Sequence, residues 1–405
     1  MKEDYLHQIW LTKRFPSDQL FTIDGRPLII HKTGWHNHES GPDFFNGSIE
    51  LDGIKWNGNI EIHIKSSDWY AHQHQNDDAY NNVILHVVYT HDKPVLIQGE
   101  EIPTLELKPI LDSRHWSSYE SLIKQTTWIP CQTQISSIDE FFVSMQIEQA
   151  LVMRLARKSE LLEKRFQLLG RNLQQLQYEI LAQAFGAKVN AMPFVELTQR
   201  MPIKTIWREK ETSSKILLMG AAGLLDQIND DDLKSLQTEW KFYLLKYRFE
   251  SMEKSSWKKK GLRPSGFPEK RIEQFSQLIN QTQQDFSFFE KSIDELKHFF
   301  RLKDQLGNEI LTRSFQNLLL MNAVVPLLFW YGDYKSDESY KDKAIDLLSE
   351  LPAEDNHIIQ SWKKLKVKVK SAFDSQGLLE LKNEICNYKK CLNCKIGAKI
   401  IENGE

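Results

Sequence analysis

The chain lacks several features that would assign it at once to a class of protein. Its 405 residues contain four cysteines, too few for the disulfide framework of a small secreted protein. Acidic and basic residues nearly balance, at a net charge of -3, so any affinity for nucleic acid must come from a local patch. No apolar run approaches the roughly eighteen residues of a membrane span, and the first residues form no apolar leader. We therefore expect a cytoplasmic protein with no membrane partner.

What is present is typical of a globular chain. With 41% hydrophobic and 26% charged residues, it can bury a substantial core and divide into two or three domains. Short β-type runs alternate with turns at first, and Asp24-Gly25 and Asp52-Gly53 each separate two runs as in a tight hairpin. From Ile138 to Leu169 the pattern becomes one long amphipathic helix, and further helices follow. We predict a mixed-sheet α/β domain at 1–128, an all-α domain at 129–385, and a cysteine-containing tail at 386–405 packed on the body.

The most informative segment is a strand-like run that contains Glu61, His63 and Lys65. Side chains two apart on a strand share a face, so these three point one way and the intervening isoleucines point toward a core. Asp43 stands at the entrance to the preceding hairpin. An acid there, followed by Glu, His and Lys on the next strand, predicts a site for metal-dependent phosphodiester cleavage. We expect Asp43 and Glu61 to bind Mg²⁺ or Mn²⁺, and Lys65 or His63 to orient water or stabilise the developing charge.

Histidines are concentrated just after this strand. Five of the twelve, at positions 63, 72, 74, 86 and 91, fall within about thirty residues. Together with nearby carboxylates they offer nitrogen and oxygen ligands suited to Mg, Mn or Zn. The further candidates for binding substrate or a second metal are Asp68, Trp69, His72, His74, Asp77, Tyr80 and His86.

A structural explanation competes for each of these residues. Asp43 follows a proline and is suited to capping a turn. Glu61 and Lys65 are spaced to form an ion pair on a solvated strand, and His86 is spaced to be a hydrogen-bonded core histidine. The combination favours function, because so many polar groups on one face would repel one another and lose hydration unless a cation or substrate used them.

Asp43, Glu61 and Lys65 resemble the motif of the PD-(D/E)XK nuclease superfamily. The resemblance implies a restriction-endonuclease-like fold, a divalent cation bound by the two acids, and a lysine that activates water or holds the scissile phosphate. In that motif the lysine stands two residues after the second acid, where this chain has His63, and Lys65 comes one strand period later. Three alternatives follow: Lys65 serves from the same face, His63 substitutes, or the site is inactive. The Trp69 and His-x-His pattern is also similar to very-short-patch mismatch-repair endonucleases.

Over nearly its full length the chain resembles a bacterial family, the domain-of-unknown-function family 2851. The resemblance supplies no activity of its own. The matching segments are Gly41-Pro42-Asp43-Phe44, Glu61-Ile62-His63, Ser67-Asp68-Trp69, His72 with His74, Tyr80, Val83 to Val88, Gly186 with Asn190, Gly220 with Ala222-Gly223, Arg263-Pro264, Phe267-Pro268, Arg271 and the cysteine-containing tail.

The cysteines form a second candidate site. Cys386, Cys391 and Cys394 have C-x4-C-x2-C spacing, while Cys131 stands alone after Ile129-Pro130. Four thiolates would complete a tetrahedral zinc site or hold an iron–sulfur cluster. The superfamily resemblance adds that some PD-(D/E)XK nucleases join remote segments through such a cluster. The alternative is that Cys131 is simply buried and the tail binds metal weakly or not at all.

One loop, from Trp257 to Arg271, combines many cations with aromatics, glycine and proline. A helix start after such a loop suits phosphate contacts, because backbone N–H groups and the helix dipole add to the basic charges. We therefore predict that Arg263 and Arg271 bind substrate. The alternative is a solvated connection whose arginine pairs with a carboxylate.

Three functions remain in view. The first is a metal-dependent nuclease of DNA or RNA with an appended helical domain. The second is a catalytically inactive nucleic-acid- or protein-binding module of the same fold, which His63 in the lysine position favours. The third is a zinc-dependent hydrolase of another substrate that uses His63, His72, His74 and His86. The sequence has no Walker-type phosphate loop between a strand and a helix, so the predicted reaction does not require ATP.

Overall fold

The computed structural model describes residues 2–16, 19–37, 39–209, 213–225, 233–282, 286 and 288–403. The chain forms two compact units. Unit 1 comprises Met1–Gln146 and Lys382–Glu405, and unit 2 comprises Ile147–Leu381. Unit 1 thus extends to Gln146 and includes the C-terminal segment, whereas the sequence predicted domains at 1–128 and 129–385 and a tail at 386–405.

Unit 1 is built on a mixed sheet. The described residues form a seven-stranded sheet of order β1-β2-β4-β5-β6-β9, with β3 beside β4, and a separate pair of β7 and β8. The strands are β1 (Leu20–Phe21), β2 (Pro27–Lys32), β3 (Trp35–His36), β4 (Phe44–Leu51), β5 (Ile54–Lys65), β6 (Val83–Thr90), β7 (Leu96–Ile97), β8 (Glu100–Glu101) and β9 (Thr104–Glu106). β1, β2, β4 and β5 pair antiparallel, whereas β5, β6 and β9 pair parallel. The predicted mixed α/β sheet is confirmed.

Both predicted hairpins are present. β1 and β2 pair across Asp24-Gly25, and β4 and β5 pair across Asp52-Gly53. In the second turn Asp52 has φ 50° and Gly53 has φ 76°. Two successive residues with positive φ give the tight turn whose twist matches that of the strands it joins. This turn sets the register of β4 against β5 as far as Gly47 and Gly58, and an irregularity between Gly47 and Phe44 then shifts it by one residue, so that Phe44 pairs with Ile60 and Asp43 lies beside Glu61.

Three helices and a short tail helix complete unit 1. They are α1 (Glu3–Leu11), α2 (Asp68–Ala71) and α3 (Ser113–Lys124), and after unit 2 the last helix of the described chain (Lys395–Asn403). α2 and two 3-10 turns, His74–Asn76 and Asp78–Tyr80, form the connection from β5 to its parallel neighbour β6. From Ile60 to His63, β5 is buried on both faces. The polar face predicted for this strand is thus inside the protein.

Unit 2 is helical, as predicted from the sequence. Its helices are α4 (Glu140–Leu168, which starts in unit 1), α5 (Leu173–Phe185), α6 (Ala191–Arg200), α7 (Ile203–Arg208), α8 (Ser214–Ala221), α9 (Leu233–Tyr247), α10 (Pro268–Gln281), α11 (Ile293–Phe299), α12 (Arg313–Leu319), α13 (Val325–Lys335), α14 (Ser339–Glu350), α15 (His357–Lys364) and α16 (Ala372–Glu380), so that the tail helix is α17. One large apolar cluster fills the unit.

The helical run Arg313–Lys335 joins α12, a π-helical segment and α13. By length and composition it is the one helix in the described chain that is long and apolar enough to cross a membrane, and 83% of its most apolar window is buried inside the protein. No such run was expected from the sequence. Its apolar side chains, including Leu319, Leu327 and Trp330, belong to the core of unit 2.

Candidate metal centre

The two acids of the predicted motif lie side by side. Asp43 immediately precedes β4, and the pairing of Phe44 with Ile60 brings it next to Glu61 on β5. The backbone N–H of Asp43 donates to Glu61 Oε2 at 3.0 Å, and the backbone N–H of Ile62 donates to Asp43 Oδ2 at 2.9 Å. Each carboxylate is therefore fixed by the neighbouring strand, and the remaining oxygens are held in defined positions.

Two histidines contact the Glu61 carboxylate, and a third contacts one of these two. His63 Nε2 lies 3.5 Å from Glu61 Oε1 and 3.1 Å from His72 Nδ1. His74 Nε2 lies 3.3 Å from the same Glu61 oxygen. One nitrogen from each of His63, His72 and His74 lies within 4.8 Å of the other two. β5 supplies two members of this group, and the β5–β6 connection supplies the other two.

The spacing of these atoms suits the ligands of one ion. With bonds of about 2.0–2.1 Å, the ligand atoms of a tetrahedral zinc ion lie about 3.3 Å apart. His74 Nε2 is buried and makes no well-aligned hydrogen bond, although it is 3.3 Å from Glu61 Oε1. A buried ring nitrogen without a partner carries a desolvation cost that a bound cation would remove. The three histidines therefore fit one metal ion, and Glu61 lies beside two of them, where it could complete the ligand set.

His86 orients His63. His63 Nδ1 and His86 Nε2 are 2.9 Å apart, and both rings are buried. Burial, and then the nearby His86, lower the pKa of His63 to about 2, and burial likewise lowers the pKa of His86 to about 3. If His63 donates through Nδ1, its Nε2 carries a lone pair directed at the group. A neutral His63 suits the role of ligand, and it does not replace a lysine as a cation.

The pKa of Glu61 indicates that nearby positive charge compensates its carboxylate poorly. Burial raises the pKa of Glu61 to about 6, contact with His74 opposes this effect, and the charge of Asp43 adds to it. A nearby dication would favour the ionised carboxylate and lower this pKa. The carboxylate is thus placed where it gains most from a bound cation.

Aromatic rings enclose the histidines. Tyr80 stacks on His74 with 3.9 Å between ring centroids, and Trp69 lies edge-on to His74 and to His86 at 5.4 Å. Trp69 is completely buried and Tyr80 is 7% exposed. Both were predicted to bind substrate. Their burial gives them the additional role of holding the imidazole rings in place.

The two further acids of the segment are used locally. Asp68 accepts the backbone N–H of Lys65 at 2.9 Å, and Asp77 accepts that of Ala79 at 2.9 Å. These are the turn and capping contacts typical of aspartate. Neither belongs to the group of converging nitrogens.

Lys65 stands at the end of β5, beyond the buried part of the strand. Its side chain is exposed. Among the described residues, no hydrogen bond or ion pair joins its ammonium group to Asp43, Glu61 or His63. The structure therefore brings together three of the four residues predicted to be catalytic and leaves the lysine at the surface.

Residues of α1 reach the site and were missed in the sequence. His7 Nε2 lies 3.2 Å from Asp43 Oδ2. Burial lowers the pKa of His7, but the hydrogen bond and charge of Asp43 outweigh it, so the net shift is upward. Glu3, one turn earlier, has its pKa raised by burial and interacts electrostatically with His72 and Asp43. The spacing of Glu3 and His7 on one helix face was the available signal.

The basic loop lies in unit 2 and is largely engaged there. The Arg271 guanidinium lies 3.4 Å from the centroid of the Phe315 ring and donates to Gln274 at 2.8 Å. Burial lowers the pKa of Arg271 to about 10. This arginine packs within the helical unit, and its predicted role in binding substrate stays a prediction. Arg263, just before the turn Pro264–Gly266, is exposed, and its predicted role stays a prediction.

All four cysteines belong to unit 1. Three are buried and Cys386 is partly buried, and none forms a disulfide. None of them belongs to the group formed by His63, His72 and His74. Among the described residues, that group is the one set of at least three ligand atoms that lie within 4.8 Å of one another. The cysteines are thus a separate feature of the same unit. They are Cys131, Cys386, Cys391 and Cys394.

A family model described as Protein of unknown function (DUF2851) matches residues 3–357. No match was found among curated proteins or among solved structures. The matched segment contains the whole sheet and most of the helical unit. It ends before the three cysteines of the C-terminal segment, so the resemblance noted for that segment is not part of the match.

Proposed function

The chain belongs to the DUF2851 family, and we propose that it is a metal-dependent hydrolase that cleaves phosphodiester bonds in DNA or RNA. The observation that carries the proposal is the convergence of nitrogens from His63, His72 and His74 within 4.8 Å, beside the Glu61 carboxylate. These are ligand atoms in the number and spacing that one metal ion requires. No built-in cation occupies their place among the described residues.

The ligand set identifies the kind of metal. Magnesium prefers oxygen ligands, whereas imidazole nitrogens favour zinc and other first-row transition ions. Three histidines and one glutamate are therefore better suited to zinc or manganese than to magnesium. The proposed metal ligands are accordingly Glu61 and the three histidines, in place of the predicted pair Asp43 and Glu61. Asp43 lies beside this site. A metal in this place would supply a polarised phosphoryl oxygen and a more acidic bound water.

The arrangement of strands supports a phosphodiester substrate. An acid before one strand, a glutamate on its antiparallel neighbour and a parallel crossover after it are what the PD-(D/E)XK resemblance implies. In this interpretation unit 1 has a restriction-endonuclease-like fold. The departure lies at His63, which is neutral and buried, and at Lys65, which is exposed. In this proposal the histidines would hold the metal ion, and the positive charge that the motif gives to a lysine would come from that ion.

The residues around the metal have distinct tasks. Asp43 holds His7 in position through the 3.2 Å contact and raises its pKa, which favours a protonated His7 beside the site. That proton is available to a departing alkoxide. His86 fixes the orientation of His63 through the 2.9 Å contact. Trp69, fully buried, excludes water from one side of the rings.

The test is cleavage of single- and double-stranded DNA and RNA by the purified full chain, with zinc, manganese or magnesium added singly. We expect cleavage with zinc or manganese, and a loss of about 100-fold or more in Glu61→Gln and His72→Ala, because loss of residues that support a metal already costs up to that much. His31→Ala is the matched control, since His31 is a histidine of the same sheet that contacts Glu50 at 3.0 Å.

Other outcomes decide between the alternatives. Stoichiometric metal that His72→Ala removes, without cleavage of any nucleic acid, would replace this proposal by a hydrolase of another substrate. Absence of bound metal in wild-type protein, together with nucleic-acid binding, would favour the inactive binding module. Equal cleavage by wild type and both variants would end the proposal.

A further inference from the structure

A cavity of about 740 Å³ lies within unit 2. Its wall is formed by residues of α4, α5 and α6, together with residues of the later run from α12 to α13. Cavities of about 300–1,000 Å³ are the size that small-molecule ligands occupy. The volume is therefore sufficient for a ligand, in a unit separate from the candidate metal centre.

Most of the side chains that line the cavity are apolar. None of the described lining residues is aromatic, so a nucleobase or another flat ring would have no ring to stack on. Leu161 and Met192 are 57% and 69% exposed, which leaves apolar surface in contact with solvent. The wall therefore suits an aliphatic chain. Its other large apolar residues are Leu162, Ile180, Val195, Leu318 and Pro326.

Two of the cations at the cavity are already paired within the protein. The Arg165 guanidinium donates to Glu179 at 2.7 Å, and the Arg157 guanidinium donates to Glu380 at 2.8 Å. A guanidinium that a carboxylate neutralises in this way does not need an anion from outside. A third cation, Lys188, is exposed to solvent.

Lys158 also lines the cavity, but it has no such pair. Its ammonium group has three N–H donors. Among the described residues, its one hydrogen bond is to the neutral Oδ1 of Asn322, at the long distance of 3.5 Å, and no carboxylate forms an ion pair with it. A partly buried cation in this position gains most from an anion that enters the cavity.

The electrostatic surroundings of Lys158 agree with this geometry. Burial, and then two neighbouring arginines, lower its pKa to about 7, and Glu354 and Glu380 only partly oppose the shift. Both carboxylates have other partners, since Glu354 accepts a glutamine amide at 2.8 Å and Glu380 accepts the arginines. An anion beside the amine would favour its charged form.

The residue next to the Lys158 ammonium group lies in an irregular stretch of helix. Asn322 belongs to the π-helical segment Leu320–Val324, and its Nδ2 donates to the Leu318 carbonyl at 3.2 Å. Its Oδ1 consequently faces Lys158. Single π-turns inside helices occur often at functional sites. Here the π-turn places a polar amide beside the aliphatic side chains of Leu318 and Pro326.

We propose that this cavity binds an aliphatic monocarboxylate, with its carboxylate on the Lys158 ammonium group and its chain along the apolar wall. A monocarboxylate carries the single negative charge that one ammonium group balances. A phosphate monoester would bring most of a second charge, for which the pairs of Arg157 and Arg165 leave no buried cation among the described lining residues. The inference does not depend on the proposed hydrolase activity.

The test is calorimetric titration of the purified full chain with decanoate, kept below its micelle concentration. We expect saturable binding of one decanoate per chain. Each CH₂ added between octanoate and decanoate should tighten binding by up to about fourfold, which is the effect of fully burying a methylene group. Decyltrimethylammonium has the same chain and the opposite charge, and it should bind weaker than decanoate by about tenfold or more.

Lys158→Met removes the charge and keeps a side chain of similar length. It should weaken decanoate binding by about tenfold or more, because a hydrogen bond to a charged group is lost, and leave the binding of uncharged decanol unchanged. Lys164→Met is the matched control, since Lys164 is an exposed lysine of the same helix and does not line the cavity. Val195→Trp should block both ligands by filling the cavity.

Several results would overturn the proposal. One is wild-type protein that shows no saturable binding of decanoate, and another is an equal effect of Lys158→Met and Lys164→Met on that binding. Tighter binding of decyl phosphate than of decanoate would replace the carboxylate by a phosphate head. Decanoate binding that folded Val195→Trp leaves unchanged would place the ligand outside the cavity. Should Val195→Trp fail to fold, the comparison of the two lysine variants decides.

Discussion

The two units differ in the groups that surround their buried carboxylates. In unit 2, Glu179 receives Arg165 at 2.7 Å, and Glu380 receives Arg154 and Arg157 at 3.2 and 2.8 Å. In unit 1, Glu61 is as deeply buried, but no lysine or arginine of the described chain lies within 4.0 Å of it. Its neighbours are histidines. A carboxylate neutralised by built-in cations is structural, whereas one left without them needs a cation from outside.

The largest effect that tests this contrast is removal of a paired acid in unit 2. Glu380→Ala leaves Arg154 and Arg157 without their carboxylate, and we expect it to lower the free energy of unfolding by about 3 kcal/mol. The lower end of the range for buried pairs applies, because Arg157 is 47% exposed. Urea unfolding measures the change, with exposed Glu148→Ala of the same unit as the control. A change below about 0.5 kcal/mol would show that the pairing is not structural.

A smaller effect is expected from Lys158, whose ammonium group makes one hydrogen bond to the residues that the structure describes, at 3.5 Å to Asn322. Burial, and then Arg154 and Arg157, lower the pKa of Lys158 from 10.5 to about 7. The unfolded chain therefore binds more protons between these values, and stability rises with pH across that window. Below pH 7 the full cost of the buried charge is present in wild type.

Lys158→Met should accordingly stabilise the protein by about 2 kcal/mol at pH 6. This gain is smaller than the pKa shift of Lys158 implies, because the side chain is not completely enclosed. The gain should shrink as the pH rises from 7 to 10.5. Urea unfolding at pH 6 and pH 9 measures it. A gain that is equal at both values would mean that packing, and not charge, is responsible.

The smallest effect is expected at Glu61 in metal-free protein. The folded pKa of about 6 exceeds the usual 4.5, so the ionised carboxylate costs stability, and this cost develops between these two values as the pH rises. Glu61→Gln should then stabilise chelator-treated protein by about 1 kcal/mol at pH 8 and have no such effect at pH 4. Glu50→Gln is the control. Destabilisation at pH 8 would show that Glu61 is a structural acid like Glu380.

Local signals in the sequence predicted much of this architecture. Asp52-Gly53 set a hairpin, and alternation along β5 put Glu61 and His63 on one face. These features depend on neighbours in the chain, so spacing reveals them. The same alternation could not show that β5 is covered on both faces, because that burial comes from elements distant in the sequence.

The errors have the same origin. Alternation grouped Lys65 with the site, but the strand reaches the surface before that residue. Arg271 was predicted to bind substrate from the basic loop and the helix start around it, and its contact with Phe315, 44 positions later, could not be read from that loop. His7 was missed because its contact with Asp43 joins a helix to a strand entrance 36 positions away. Contacts of this kind follow from the tertiary fold and have no local pattern.

The central claim is that the histidine group and Glu61 bind a cation. Its most direct test is the zinc-induced change in free energy of unfolding, compared between His31→Ala and His72→Ala so that any zinc bound at the cysteines contributes equally to both. At zinc concentrations of about 100 times the dissociation constant, His31→Ala should gain about 2.7 kcal/mol more than His72→Ala. Equal gains in the two variants would contradict the claim and leave Glu61 a buried acid without a cation.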